Sequence, residues 1–126
     1  NTQAGEFVRL ARAINDKRPS IVAQKTLDLL TESTGSLAGK KVGILGVAYK
    51  ANVDDCRESP ADAIHQHFVK AGVEVNYHDP FVPTWHCGRQ DTLNDIDNWA
   101  DVLILVTDHE CYSNLGLTTP VLNTRA

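Results

Sequence analysis

The sequence predicts an α/β protein: a small Rossmann-like, three-layer domain with a mostly parallel sheet, preceded by a helical lead-in. Three observations carry this expectation. Short strand-like segments recur at residues 42–45, 73–77, 102–106 and 121–122, the third of them apolar throughout. An amphipathic segment with its own start and stop signals lies between the first two runs. Strands that alternate with helices require crossover connections, which place the strands parallel and the helices on the faces of the sheet.

Taken in order, residues 2–16 carry apolar side chains at Phe7, Val8, Leu10, Ala11 and Ile14, a spacing that predicts an amphipathic helix. Pro19 interrupts it. Ser20 is placed to cap a second helix, with Ile21, Val22, Ala23, Leu27, Leu29 and Leu30 available for packing. Residues 35–39 begin and end in glycine and read as a linker. Residues 42–45 then form a short buried strand. Ser59 is a natural N-cap, and Pro60 suits a first helical turn. Ala63, Ile64, His67, Phe68 and Ala71 give that helix its apolar face, and Gly72 ends it. Residues 73–77 are the second strand. Residues 102–106 are the third, apolar throughout and therefore central. Residues 121–122 supply a fourth. The expected division is a lead-in at 1–34 and the Rossmann-like domain at 39–126.

At 126 residues the chain is long enough for one domain with a real core. No apolar run approaches the roughly 20 residues of a membrane span, and no secretory signal is visible. The net charge of −4 argues against a broad nucleic-acid surface. Basic residues cluster at Arg9, Arg12, Lys17 and Arg18, which fits a solvated helix face. Cys56, Cys87 and Cys111 are odd in number and scattered, as suits a reducing cytoplasm. The chain starts at Asn1 and has no methionine, so it is expected to be a piece of a longer protein.

In an open α/β sheet, ligands bind beyond the carboxyl ends of the strands. The first such loop here runs from Gly46 to Ser59. Gly46 lets a backbone approach closely, and the helix start at Ser59-Pro60 offers free N–H groups and a positive dipole end. Lys50 adds a point charge and Arg57 a planar fork suited to phosphate. One reading is a site for a phosphate-bearing ligand. The other is a tight strand-to-helix turn with Lys50 and Arg57 in solvent, because Gly43-x-x-Gly46 falls short of a dinucleotide fingerprint and no P-loop is present.

The remaining chemistry-bearing residues point to bland roles. Asp54 and Asp55 read as an acid/base pair or as adjacent loop carboxylates of the kind that usually point apart, and the second is favoured. His65 and His67, two apart on a helix, lie on different faces. His78, His86, Cys87 and His109 match no common zinc spacing, so no metal is expected. Cys56 beside Arg57 reads as a reactive thiol or a small, partly buried side chain, and the second is favoured. Asp79, within Tyr77-His78-Asp79-Pro80-Phe81-Val82-Pro83, follows the second strand, where a nucleotide fold places its ribose-binding acid. The two prolines argue instead for a rigid turn.

Gly46-Val47-Ala48-Tyr49-Lys50, continued by Asp54-Asp55-Cys56-Arg57-Glu58-Ser59-Pro60-Ala61, resembles the C-terminal domain of the UDP-glucose/GDP-mannose dehydrogenase family. Tyr77-His78-Asp79-Pro80, Ala100-Asp101 before the third strand, and Thr107-Asp108-His109 extend the likeness. Arg12-Ala13-Ile14-Asn15-Asp16 with Pro19 is similar to the end of the family's central helical, dimer-forming region. Gly-Val-Ala-Tyr-Lys with Tyr-His-Asp-Pro most resembles the branch oxidising UDP-N-acetylhexosamines, the UDP-N-acetylglucosamine and UDP-N-acetylmannosamine 6-dehydrogenases.

The resemblance implies an oxidoreductase that uses NAD to convert the C6 hydroxyl of a nucleotide sugar to a carboxylate. It implies the roles of residues too. Tyr49 and Lys50 would contact the UDP-sugar, Arg57 would reach NAD across a domain cleft, and Arg125 would be a second UDP-sugar contact. Asn123 stands where the family's Asp-x-Arg pattern has aspartate, and the segment from His109 to Pro120 is short for the family's helix. The family's catalytic cysteine lies in Gly-x-Cys-Phe-Pro-Lys-Asp, which surrounds none of the three cysteines here. The N-terminal Gly-x-Gly-x-x-Gly fingerprint is missing as well. The chain is thus expected to bind without oxidising, as a cytoplasmic partner of an N-terminal NAD domain, in a homodimer or higher homo-oligomer. Its rivals are a stand-alone nucleotide-binding regulatory module and an oligomerisation module.

Overall fold

The computed structural model describes residues 11–13, 18–48, 60–85, 89–107, 109, 112, 117–119 and 121–123. The elements are β1 (Ala11–Ala13), α1 (Pro19–Thr34), β2 (Lys41–Leu45), α2 (Pro60–Ala71), β3 (Glu74–His78), β4 (Arg89–Gln90), α3 (Leu93–Trp99), β5 (Val102–Leu105) and β6 (Val121–Asn123). All six strands join one sheet in the order β1-β6-β5-β2-β3-β4, and each pairing is parallel. The chain moves outward from β2 through α2 to β3 and β4, then returns over α3 to β5 on the other side of β2. The strand order therefore reverses between β2 and β5, the position where open α/β sheets hold ligands.

Period-two alternation splits the strands between two apolar cores. Val42, Ile44, Tyr77, Val102, Ile104 and Leu122 face the side covered by α1 and α2, where Val22, Ala23, Leu30, Ile64 and Phe68 fill the core. Leu45, Leu103, Leu105 and Val121 face the other side with Ile96 of α3, Tyr112 and Leu117. This is the three-layer arrangement the sequence predicts, and β5 and β2 are its central strands. Gly43 completes the second layer by having no side chain: a Cβ there would come within 2.5 Å of Leu103 Cδ2 and 2.8 Å of Ile96 Cγ1. Among the described residues no helix is long and apolar enough to cross a membrane.

Two expectations give way to the structure. Ala11–Ala13 is not helical but an edge strand paired with β6, Ala11 opposite Val121 and Ala13 opposite Asn123. Apolar spacing reports periodicity alone. The outer edge of β6 rewards an extended segment with ladder hydrogen bonds, and tertiary context overrides the local pattern. Ser20 is not the cap of α1. That role falls to Arg18, in extended conformation, and Pro19 occupies the first turn, where its missing N–H costs nothing. By contrast α2 begins at Pro60 and is followed by Gly72, as expected.

Candidate nucleotide-binding site

The parallel register sets the frame. His78, Leu45, Leu105 and Asn123 are consecutive partners across β3, β2, β5 and β6, so they form one row at the carboxyl edge of the sheet. Adjacent strands lie about 4.8 Å apart, so this row spans about 14 Å. β2, β3 and β5 each hand the chain on to a non-strand segment here.

The loop after β2 opens on Gly46, with φ +85. Its N–H donates to the His78 carbonyl at 2.8 Å, and its Cα face lies against Thr107, beyond the end of β5. Only glycine permits both the backbone angle and the contact. Val47 and Ala48 follow, both fully buried, and both donate their N–H groups to Asp79 Oδ2, at 2.8 and 3.0 Å. Thr107 Oγ1 donates to the Ala48 carbonyl at 2.6 Å. The turn is thus held from β3 by a carboxylate and from β5 by a hydroxyl.

Asp79 is completely buried. Its Oδ2 also accepts from His109 Nε2 at 2.8 Å, and its Oδ1 accepts from the Phe81 N–H at 2.8 Å. A carboxylate only accepts, so His109 Nε2 carries a hydrogen. Four N–H donors on one buried carboxylate offset a desolvation cost that would otherwise be several kcal/mol. The contact to Phe81 closes an Asx-type turn over Pro80, the rigid turn that the two prolines predict. The alternative, a ribose-binding role, does not match the geometry. Asp79 faces inward because three donors, from β2's loop and from His109, surround it there, leaving it no exposed edge for a ribose.

Beside it, the Tyr112 hydroxyl donates to the His78 carbonyl at 2.8 Å and lies 2.9 Å from His78 Nδ1. With that hydrogen committed, Nδ1 is the protonated ring nitrogen and donates to the hydroxyl oxygen. Burial holds the His78 imidazole below its ordinary 6.5. The Asp79 carboxylate pulls upward and the His109 ring pushes down, and burial prevails. On the far side, Trp85 Nε1 donates to Asp62 Oδ1 at 3.2 Å, tying the segment after β3 to the first turn of α2. The approach to β6 is fixed likewise: Asp97 of α3 accepts from the N–H groups of Thr118 and Thr119 and from the Thr118 hydroxyl.

Tyr49, Lys50, Arg57 and Arg125, like Asp54, Asp55 and the three cysteines, lie outside the described residues. What the structure places is their neighbours: Ala48 next to Tyr49, Pro60 three residues past Arg57, and Asn123 two before Arg125. Among the described residues no group of three or more His, Cys, Asp or Glu side chains is placed to hold a metal ion. Sequence reasoning missed His109 and Thr107 as parts of the site. Their signal was the Thr107-Asp108-His109 motif after an apolar strand, although no local pattern could show that it closes on Asp79, 30 residues away.

A parallel α/β sheet with a reversal of strand order, and with its loops braced at the carboxyl edge of that crossing, defines a Rossmann-like domain. The sequence profile of the "UDP-glucose/GDP-mannose dehydrogenase family, UDP binding domain" matches residues 43–124, well over half of the chain, and the protein belongs to that family. It is 32% identical over 109 residues to a UDP-N-acetyl-D-mannosamine dehydrogenase of Methanocaldococcus jannaschii, covering 86% of this chain and 24% of that protein. It is 37% identical to a UDP-glucose 6-dehydrogenase of Rhizobium meliloti, covering 81% and 24%. The crystal structure of an NDP-N-acetyl-D-galactosaminuronic acid dehydrogenase from Methanosarcina mazei superposes with a TM-score of 0.70 at 30% identity, over 77% of this chain and 21% of that one. The chain thus spans about a quarter of the length of the curated relatives it matches.

Proposed function

We propose that this chain is the UDP-sugar-binding domain of an NAD-dependent UDP-sugar 6-dehydrogenase that oxidises the C6 hydroxyl of a UDP-N-acetylhexosamine to a carboxylate. The observation that carries the reading is the family match over residues 43–124, the stretch that contains the whole carboxyl edge. Tyr49 and Lys50 contact the UDP-sugar, Arg125 is a second contact, and Arg57 reaches NAD. In support, Ala48 and Asn123 lie at the same edge, on the loop and strand from which Tyr49, Lys50 and Arg125 continue. A diphosphate matches this cation set, and Tyr49 suits a base or sugar face. Holding the remote diphosphate helps to fix the reacting C6, which converts binding energy into orientation.

NAD supplies the hydride acceptor in such a reaction. The described turn after β2 does not fit that dinucleotide in the Rossmann manner. The N–H groups of Val47 and Ala48 that would face a pyrophosphate are committed to Asp79, and Thr107 fills the space over Gly46. We infer from the family resemblance that NAD is held mainly by an N-terminal domain, and that residues 1–34 belong to a central region that forms a cytoplasmic homodimer or higher oligomer.

The test is calorimetric titration of the protein with UDP, with UDP-N-acetylglucosamine, with UDP-N-acetylmannosamine and with NAD. Binding of the UDP compounds, with NAD far weaker in the isolated domain, is expected. A folded protein that binds no UDP compound would sink the reading.

A further inference from the structure

The turn from Gly46 to Ala48 is unusual in carrying its own anion. In a nucleotide-binding turn, consecutive backbone N–H groups after the first strand face the phosphate of the ligand. Here two such groups converge on one oxygen of Asp79, at 2.8 and 3.0 Å, from within the protein. The same oxygen takes the His109 Nε2 hydrogen at 2.8 Å, and all four residues are fully buried. The backbone on either side is tied as well: the Asp79 N–H donates to Gln90 Oε1 of β4 at 3.0 Å, and the His109 N–H donates to the Thr107 carbonyl at 3.0 Å. Phe81 lies over the His109 ring, centroids 4.8 Å apart, and closes the cluster.

We infer that Asp79, seated by His109, is a positioning residue for ligand binding: a buried clasp that fixes Ala48, the residue immediately before Tyr49 and Lys50 in sequence. The inference rests on the reading of Tyr49 and Lys50 as UDP-sugar contacts. A carboxylate aimed at two N–H groups of one turn has little freedom, because a charged hydrogen bond weakens steeply when bent or stretched. His109 adds the third donor from beyond β5, so three strand ends meet on one oxygen. Removing the charge loosens the turn without touching the ligand, and a misplacement of about 1 Å at a binding group costs affinity out of proportion to the bond lost.

The experiment compares Asp79→Asn, His109→Ala and His109→Gln in the full-length protein by circular dichroism and UDP titration. Asp79→Asn and His109→Ala are expected to remain folded and to lose UDP affinity by ~10- to 100-fold, the loss expected for a charged hydrogen bond. His109→Gln, whose amide N–H can reach the carboxylate, is expected to recover most of it. That rescue is a result a merely space-filling histidine would not give. A folded Asp79→Asn protein that binds UDP like wild type overturns the inference and leaves the functional reading standing. A wild-type protein that ignores UDP overturns both. The wild type also gives a result that needs no variant. The Val47 and Ala48 amide protons should exchange slowly before any UDP is added, and protection that arises only with UDP would overturn the clasp.

Discussion

Replacing Gly46 with alanine separates two costs that the fold combines at one atom. The backbone there has φ +85, which an L-residue adopts at a cost of about 1–2 kcal/mol. The new Cβ would also lie 2.6 Å from Thr107 Cβ and 2.9 Å from Thr107 Cα, where carbon atoms settle at about 3.5–4.0 Å. Thr107 has little room to retreat, because its hydroxyl holds the Ala48 carbonyl and its own carbonyl holds the His109 N–H. Forcing a methyl into such a packed position costs about 1–3 kcal/mol more. Gly46→Ala should therefore destabilise by about 2–5 kcal/mol, a large fraction of a domain's usual 5–15 kcal/mol.

The molecule contains its own controls. Gly39 has φ +73 with nothing within 4 Å of a built Cβ, so Gly39→Ala isolates the backbone cost of about 1–2 kcal/mol. Gly43 has no positive φ, but its Cβ would meet the flexible ends of Leu103 and Ile96, so Gly43→Ala isolates overpacking at about 1–3 kcal/mol. Urea unfolding with a shared slope ranks the three variants by midpoint. If Gly46→Ala loses no more than Gly39→Ala, Thr107 does not press on the turn and the account of the braced edge is wrong.

Other outcomes follow from the same geometry. Burial pushes the Asp97 carboxyl up, but the Thr118 and Thr119 N–H groups and hydroxyls outweigh it and hold it below the usual carboxylate range. Its stabilising effect is thus full above the unfolded value and fades as pH falls through the folded one. Wild type should exceed Asp97→Asn in urea midpoint at pH 7, and the gap should close below about pH 4. His78 should titrate below 6.5 by NMR, because burial disfavours its charged form. The unfolded chain then takes up that proton first, so stability drops as pH falls through about 6.5, and a midpoint at or above that value would contradict the burial argument. Lys50→Ala should weaken UDP binding by about 1–3 kcal/mol in calorimetry. Arg57→Ala in the full-length enzyme should raise the NAD Michaelis constant or lower turnover more than it weakens UDP binding, and unchanged values for both would remove Arg57 from its role.

The legible part of the fold was the part carried by long-range burial that is also local in sequence. Strands buried on both faces read as apolar runs, as β2 and β5 do, whereas β3 showed itself by alternation, and with β6 all four were visible to within a residue at their ends. Helix α3 escaped notice because it has only seven residues and a narrow apolar stripe of Leu93, Ile96 and Trp99. Its one local mark is Thr92, whose side chain accepts from the Asp95 N–H as an N-cap. Strand β4 has two residues and can show no periodicity. Strand β1 exists through its pairing with β6, more than 100 residues later, which no window along the chain contains. At the site, Asp79 was visible as an acid after a strand. Its inward direction was not, since that depends on N–H groups 31 and 32 residues earlier and an imidazole 30 residues later.

That inward turn changes how a sheet of this kind can recognise a diphosphate. A dinucleotide turn meets its ligand with backbone amides, which are neutral, fixed and close to the strand ends. Here those amides already hold an anion, and the positive end they would offer is neutralised from inside by Asp79. On the proposed reading, recognition of a ligand's phosphates falls to charged side chains, and Lys50, Arg57 and Arg125 are cations that follow the strand ends of this edge in sequence. Long side chains carry more rotamer freedom than amides, so ordering them on binding costs more. A rigid base reduces that cost by removing backbone motion from it. The buried carboxylate, the Thr107 hydroxyl and the glycine that lets them approach supply that base, which gives an internal anion a physical reason to sit where other nucleotide folds leave room for the ligand's own.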